Sequence, residues 1–91
     1  MRTIEHTKLF KPDYRREKRG RYRNLDKLIT DAIDLLAVDA VLPARYRDHG
    51  LTGKWAGYHD CHLKPDLVLI YRYLPDVLQL VRLGSHSELF D

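Results

Sequence analysis

The apolar positions of this chain change period about halfway along it. Leu25, Leu28, Ile29, Ala32, Ile33 and Leu36 recur at helical spacing and form one stripe, with Asp26, Lys27, Asp31 and Asp34 on the polar side. The spacing predicts a helix from Leu25, capped by Asn24 and ending near 38–40, before Pro43. A first helix is expected from about Lys11 to Gly20. Pro12 then falls in its first turn, where a missing N–H costs little. Together the two helices make a helical hairpin. Before them, residues 2–6 form a candidate edge strand anchored on Ile4.

Beyond Gly57 the period drops to two. Tyr58–Leu63, Leu67–Tyr73 and Val77–Leu83 read as strands, joined by tight turns at Lys64-Pro65-Asp66 and Leu74-Pro75-Asp76. Alternation places Tyr58, Asp60 and His62 on one face and His59, Cys61 and Leu63 on the other. It likewise puts Leu78, Leu80 and Arg82 on one side of the last strand, opposite Val77, Gln79, Val81 and Leu83. Apolar residues on both faces make that strand interior to its sheet. Residues 42–57 read as irregular, with Leu51 and Trp55 as anchors. In the tail, Ser85 or Ser87 caps a final helical turn. The predicted fold is α+β, with a helical hairpin on one face of a mainly antiparallel four-stranded sheet and the other face open to a ligand. Residues 1–91 are expected to form one domain.

Composition narrows the class. The chain has 91 residues, 44% hydrophobic, which suits a folded globule. No apolar run approaches the roughly 18 residues of a membrane span, and the N-terminus has no signal-peptide core. A cytoplasmic location without membrane contact is expected. The lone cysteine, Cys61, excludes an internal disulfide and a Cys-only zinc site. Net charge is +3, unevenly spread: residues 1–23 hold nine bases against three acids, so the remainder is net acidic. A polyanion or an acidic protein would complement that basic end.

Candidate chemistry gathers between Asp48 and His86. His49, Asp60, His62, Asp66 and His86 are the expected catalytic group, with coupled charge states near neutral pH. Metal-free general acid–base catalysis fits them, one group taking a proton from a nucleophile and another protonating a leaving group. RNA suits such a site because its 2′-OH is a built-in nucleophile. A two-His-one-carboxylate metal site ranks second, since no metal-ligand spacing signature is present. No cofactor is expected. Arg82 is the expected phosphate contact, or else a salt bridge to Asp60 or Asp66. Trp55, Tyr71 and Phe90 are candidates for stacking on bases. As a DNA-binding helix-turn-helix the hairpin fits poorly, because phosphate would repel Asp26, Asp31 and Asp34.

The combination Tyr46-x-Asp48-His49-x-Leu51-x-Gly53-x-Trp55-x-Gly57-Tyr58, Asp60-x-His62, Pro65-Asp66-Leu67-x-Leu69-Ile70-Tyr71 and Arg82-x-Gly84-x-His86-x-x-Leu89-Phe90 resembles the RelE/ParE superfamily of bacterial toxins, and within it the YafQ-like mRNA interferases. The helical hairpin matches only in outline. The resemblance implies a type II toxin that enters the ribosome and cleaves mRNA without a metal. It implies a cognate antitoxin as partner, with operator DNA reached only through the toxin–antitoxin complex. It also implies catalytic roles for His49, Asp60, His62, Asp66 and His86, and substrate contacts for Arg82 and Phe90. The alternative is a ParE-like toxin that poisons a protein target such as gyrase by binding alone. The His-rich site weighs against it, because a binding surface needs no titratable cluster.

Overall fold

The computed structural model describes residues 1–90; Asp91 lies outside the described residues. Strand β1 (Thr3–His6) leads into helices α1 (Phe10–Arg19) and α2 (Leu25–Leu36). A single 3-10 turn at Ala44–Tyr46 precedes a two-residue strand, β2 (His49–Gly50), and a second 3-10 turn spans Gly53–Trp55. Strands β3 (His59–Lys64), β4 (Leu67–Leu74) and β5 (Val77–Gly84) follow, then the short helix α3 (His86–Phe90). The sheet has the order β1-β5-β4-β3-β2, with β1 parallel to β5 and the other neighbours antiparallel.

The α+β class, the hairpin and the meander agree with the sequence reading. The strand count does not: the sheet has five strands, not four. The addition is β2, in which His49 pairs with Asp60 and Gly50 with His59. Two residues, one of them glycine, carry no alternation, so the pattern could not reveal this strand.

The main core lies between the helices and one sheet face. Phe10, Leu25, Ile29, Ala32 and Leu36 meet Cys61, Leu63, Leu67, Leu69, Tyr71, Leu78, Leu80 and Leu83. This is the stripe of α2 seated on alternate residues of three strands. The opposite face is only partly open. Val68, Ile70, Val81 and Leu89 form a second, smaller cluster there, with Leu51, Trp55, Tyr58 and Phe90 packed against it. Helix α3 and the 51–58 loop therefore cover part of the expected ligand face.

Strand β5 departs from strict alternation. Ile70 pairs with Arg82 but Tyr71 with Leu80, so a bulge at Val81 shifts the register. Leu83, not Arg82, joins Leu78 and Leu80 in the main core. This corrects the expected grouping. A bulge arises from strand pairing, and the local pattern of β5 does not encode it.

Beyond Leu80, β5 has lost its neighbour β1, and α1 covers the exposed edge. The Leu83 amide donates to Asp13 Oδ2 at 3.1 Å, and Arg16 Nη2 donates to the Leu83 carbonyl at 2.8 Å. Thr7 Oγ1 donates to the Val81 carbonyl at 2.6 Å. No helix among the described residues is long and apolar enough to cross a membrane.

Candidate active site

The open end of the sheet carries the titratable group. Asp60 and His62 lie on the face away from the main core, because their neighbours Cys61 and Leu63 are buried in it. The β2–β3 pairing brings His49 opposite Asp60. Asp66 sits in the two-residue loop between Lys64 and Leu67, the last pair of the β3–β4 hairpin. His86 opens α3.

Helix α3 has five residues, far below the length at which a helix persists alone. Its position comes from a capping box. The Glu88 amide donates to Ser85 Oγ at 3.2 Å, and the Ser85 amide donates to Glu88 Oε1 at 2.9 Å. Arg16 Nε lies 2.9 Å from Glu88 Oε2, and Leu89 is buried. Gly84 leaves the room α3 needs: a Cβ there would stand 2.7 Å from Arg16 Nη2 and 3.1 Å from Glu88 Oε1.

So held, His86 meets Asp66 twice. Its backbone N–H donates to Asp66 Oδ1 at 3.1 Å, and its ring Nδ1 lies 2.9 Å from the same oxygen. The side-chain hydrogen bond from His86, followed by the backbone one, holds the Asp66 carboxyl below its usual range. An ionised carboxylate only accepts, so Nδ1 carries the proton and Nε2 is left for chemistry. The His62 and His86 rings stand 5.0 Å apart, edge to face. Burial lowers the His62 pKa. The field of Asp60 opposes that shift, while His86, Arg47 and His49 reinforce it.

His49 Nδ1 donates to the Arg47 carbonyl at 2.8 Å and lies 3.2 Å from Asp60 Oδ1. Its hydrogen is directed at the carbonyl, so Asp60 Oδ1 is buried without a hydrogen-bond donor. Asp60 is 3% exposed. Burial raises its pKa, against the fields of His49, His62 and His86. All five candidate catalytic residues thus meet at one end of the sheet. They form two linked pairs, His49–Asp60 and His86–Asp66, with His62 beside His86. Among the described residues no three His, Cys, Asp or Glu side chains are grouped to hold a metal ion.

The expected substrate contacts divide. Phe90 is half-buried, with its ring 6.2 Å from that of His86. Trp55 is half-buried on the second cluster, edge-on to Tyr58 at 5.3 Å. Tyr71 is corrected: it is 1% exposed in the main core and cannot stack on a base. Alternation with Leu67 and Leu69 puts it there. Its hydroxyl donates to Asp48, tying down the residue before His49. Arg82 pairs with neither Asp60 nor Asp66. Its Nε donates to Asp13 Oδ2 at 2.6 Å and its Nη2 to Oδ1 at 3.0 Å. Sequence reasoning also passed over Arg45 and Arg47, which with Lys64 surround a hollow against His62. Arg45 and Arg47 flank one 3-10 turn while Lys64 ends β3, and only the fold brings the turn against that strand end.

A small sheet, a helical hairpin and a surface His/Asp cluster define a compact microbial toxin of the kind the sequence resembles, and comparisons with known proteins agree. Residues 2–91 match the family described as a bacterial toxin of type II toxin-antitoxin system, YafQ. The chain belongs to this family. It is 36% identical over 89 residues to the mRNA interferase toxin YafQ of Escherichia coli strain K12, covering 98% of this chain and 96% of that one. A copper-bound mutant toxin from Helicobacter pylori superposes with a TM-score of 0.88 at 36% identity, covering 99% of this chain and 100% of that one. The toxin in a crystal structure of the E. coli DinJ-YafQ complex gives 0.79 at 34% identity, with both chains fully covered.

Proposed function

We propose that this toxin is an mRNA endoribonuclease that acts on the translating ribosome by general acid–base catalysis. The observation that carries the reading is the His62–His86 pair, with Asp66 fixing one of its members. Two imidazoles whose ring centres are 5.0 Å apart resist being protonated together. Asp66 accepts from His86 Nδ1 and leaves its Nε2 for proton transfer, and burial favours neutral His62. His62 is then the base and His86 the acid.

The reaction follows from these states. His62 takes the proton of an RNA 2′-OH, and the 2′-oxygen attacks the adjacent phosphorus. The bond to the 5′-oxygen breaks as His86 Nε2 delivers a proton to it. The products are a 2′,3′-cyclic phosphate and a free 5′-OH. Arg82, held by Asp13 through Nε and Nη2, keeps Nη1 for a phosphate oxygen. His49 sets the electrostatics of Asp60 and, through it, of His62. Phe90 and Trp55 offer aromatic surface to bases. The E. coli relative crystallised with DinJ supports a cognate antitoxin for this chain, and such a complex is the species that would reach operator DNA. The site of action is the cytoplasm.

His62→Gln and His86→Gln test the reading. Each is expected to lower mRNA cleavage in a translating extract by about 10²–10⁴-fold, with unchanged circular dichroism. A folded double variant that cleaves at the wild-type rate, or one that stays toxic without cleaving, rejects it.

A further inference from the structure

The hollow against His62 is purely cationic, whereas three other hollows among the described residues each include a carboxylate. Its walls are Arg45, Arg47, His62, Leu63, Lys64 and Pro65, and its volume is about 260 Å³. Three cations and no carboxylate line it. Some bases elsewhere are paired, Arg2 with Asp39, Arg16 with Asp13 and Glu88, Lys18 with Asp26 and Arg82 with Asp13, while others such as Lys8, Lys11 and Lys54 stand singly on the surface. Arg47 and Lys64 have no ion pair among the described residues. Arg45 only lies over the Tyr46 ring at 4.7 Å and reaches its hydroxyl at 3.4 Å.

The backbone that presents these cations is fixed. Arg47 adopts the left-handed conformation at φ 48°, which few non-glycine residues occupy. The His49 ring secures its carbonyl. Lys64 and Pro65 close the β3–β4 hairpin where the register shifts after His62. All three cations are exposed, so an anion seated in the hollow would meet several of them at once. The charge also reaches the reacting group, since Arg47 is among the neighbours that lower the His62 pKa. A guanidinium offers a planar fork to phosphate oxygens, and an ammonium adds a point charge.

We propose that this hollow binds a backbone phosphate of the RNA substrate next to the linkage that is cut. Arg45, Arg47 and Lys64 thereby set the register of the strand over His62 and His86. The assignment rests on the ribonuclease reading above and adds a subsite to it.

The test uses purified toxin on ribosome complexes programmed with mRNA, under single-turnover conditions. The triple variant Arg45→Gln, Arg47→Gln, Lys64→Gln removes three exposed charges, and its melting temperature confirms folding. Half-saturation is expected to rise at least tenfold, with a smaller change in the rate at saturation. The slope of log affinity against log salt should become shallower by about 0.7 for each phosphate that the protein no longer neutralises. A neutral methylphosphonate placed at successive linkages around the cut should weaken wild-type binding at one flanking position. The triple variant should show no penalty there. Unchanged half-saturation overturns the proposal. So does an equal methylphosphonate penalty in both proteins, which would place the three cations on ribosomal RNA instead. Failure of wild-type toxin to cleave native mRNA would instead reject the ribonuclease reading itself.

Discussion

At the scale of single residues, His62 titrates under the influence of its burial and of its charged neighbours. Burial lowers the His62 pKa, and charge on His86 and Arg47 lowers it further. The base form of His62 therefore persists to a pH below the ordinary imidazole value of about 6.5. The acidic limb of the pH–rate profile should lie on that side. Replacing His86 with Gln, or Arg47 with Gln, removes a positive neighbour and should raise the His62 midpoint, read from its ring protons by NMR. A midpoint that stays fixed in both variants would uncouple the pair. Asp60 presents the opposite case. Its pKa is raised chiefly by burial, and Oδ1 has no donor. A carboxyl raised in the fold adds stability below its unfolded pKa, and that contribution is lost as pH rises through the folded value. At pH 7 the ionised group is a burden. Asp60→Asn should melt above wild type at pH 7, with the gain shrinking toward pH 4, while cleavage falls because the field around His62 changes.

At the scale of elements, α3 decides whether His86 is in place. The box between Ser85 and Glu88, the Asp66 bond and the burial of Leu89 hold a helix too short to stand alone. Gly84→Ala would drive a methyl against Arg16 and Glu88, which lie 2.7 and 3.1 Å from the Cβ position. Cleavage should fall at least tenfold, and amide exchange across Ser87–Phe90 should rise, with little change at β4. Ser85→Ala, which removes one half of the box, should cost about 1 kcal/mol locally and act in the same direction more weakly. These elements also mark what the sequence could and could not say. The stripe of α2 and the alternation of β3 are local periodicities, so they placed Asp60 and His62 on the site face. Strand β2 has too few residues to show a period. The Val81 bulge depends on β4, so it turned the expected face of Arg82. The Arg82–Asp13 pair spans 69 positions and leaves no local trace. Tyr71 shares its parity with Leu67 and Leu69, and that pattern already pointed into the core.

At the scale of the whole molecule, Asp13 is where the N-terminal helix, the sheet edge and the candidate site join. It is 3% exposed and accepts from Arg82, Arg16 and the Leu83 amide. Some of the basic N-terminal quarter is thereby committed to the fold rather than to a partner: Arg16 pairs with Asp13 within α1 and bridges the helix to the Leu83 carbonyl and Glu88, and Arg2 bonds Asp39 and the Leu74 carbonyl. Burial alone would raise the Asp13 pKa. The Arg82 bonds, the Leu83 amide and Arg16 outweigh it and hold the carboxyl below its usual range. A carboxyl lowered in the fold stabilises above its unfolded pKa, and that contribution disappears as pH falls through the folded value. Asp13→Asn keeps the shape but leaves Arg82 without its counter-charge and removes one of the three carboxylates around Arg16. Loss of one partner from a buried pair costs about 3–5 kcal/mol, and the partial exposure of both arginines reduces that here to about 2–3 kcal/mol. Urea unfolding should show this deficit at pH 7. It should narrow as pH falls below the ordinary carboxylate range and wild-type Asp13 takes up a proton. A deficit that stays constant through the acid limb, down to the pH at which wild type itself unfolds, would mean that Asp13 acts through packing alone, and that its charge does not hold α1 to the sheet.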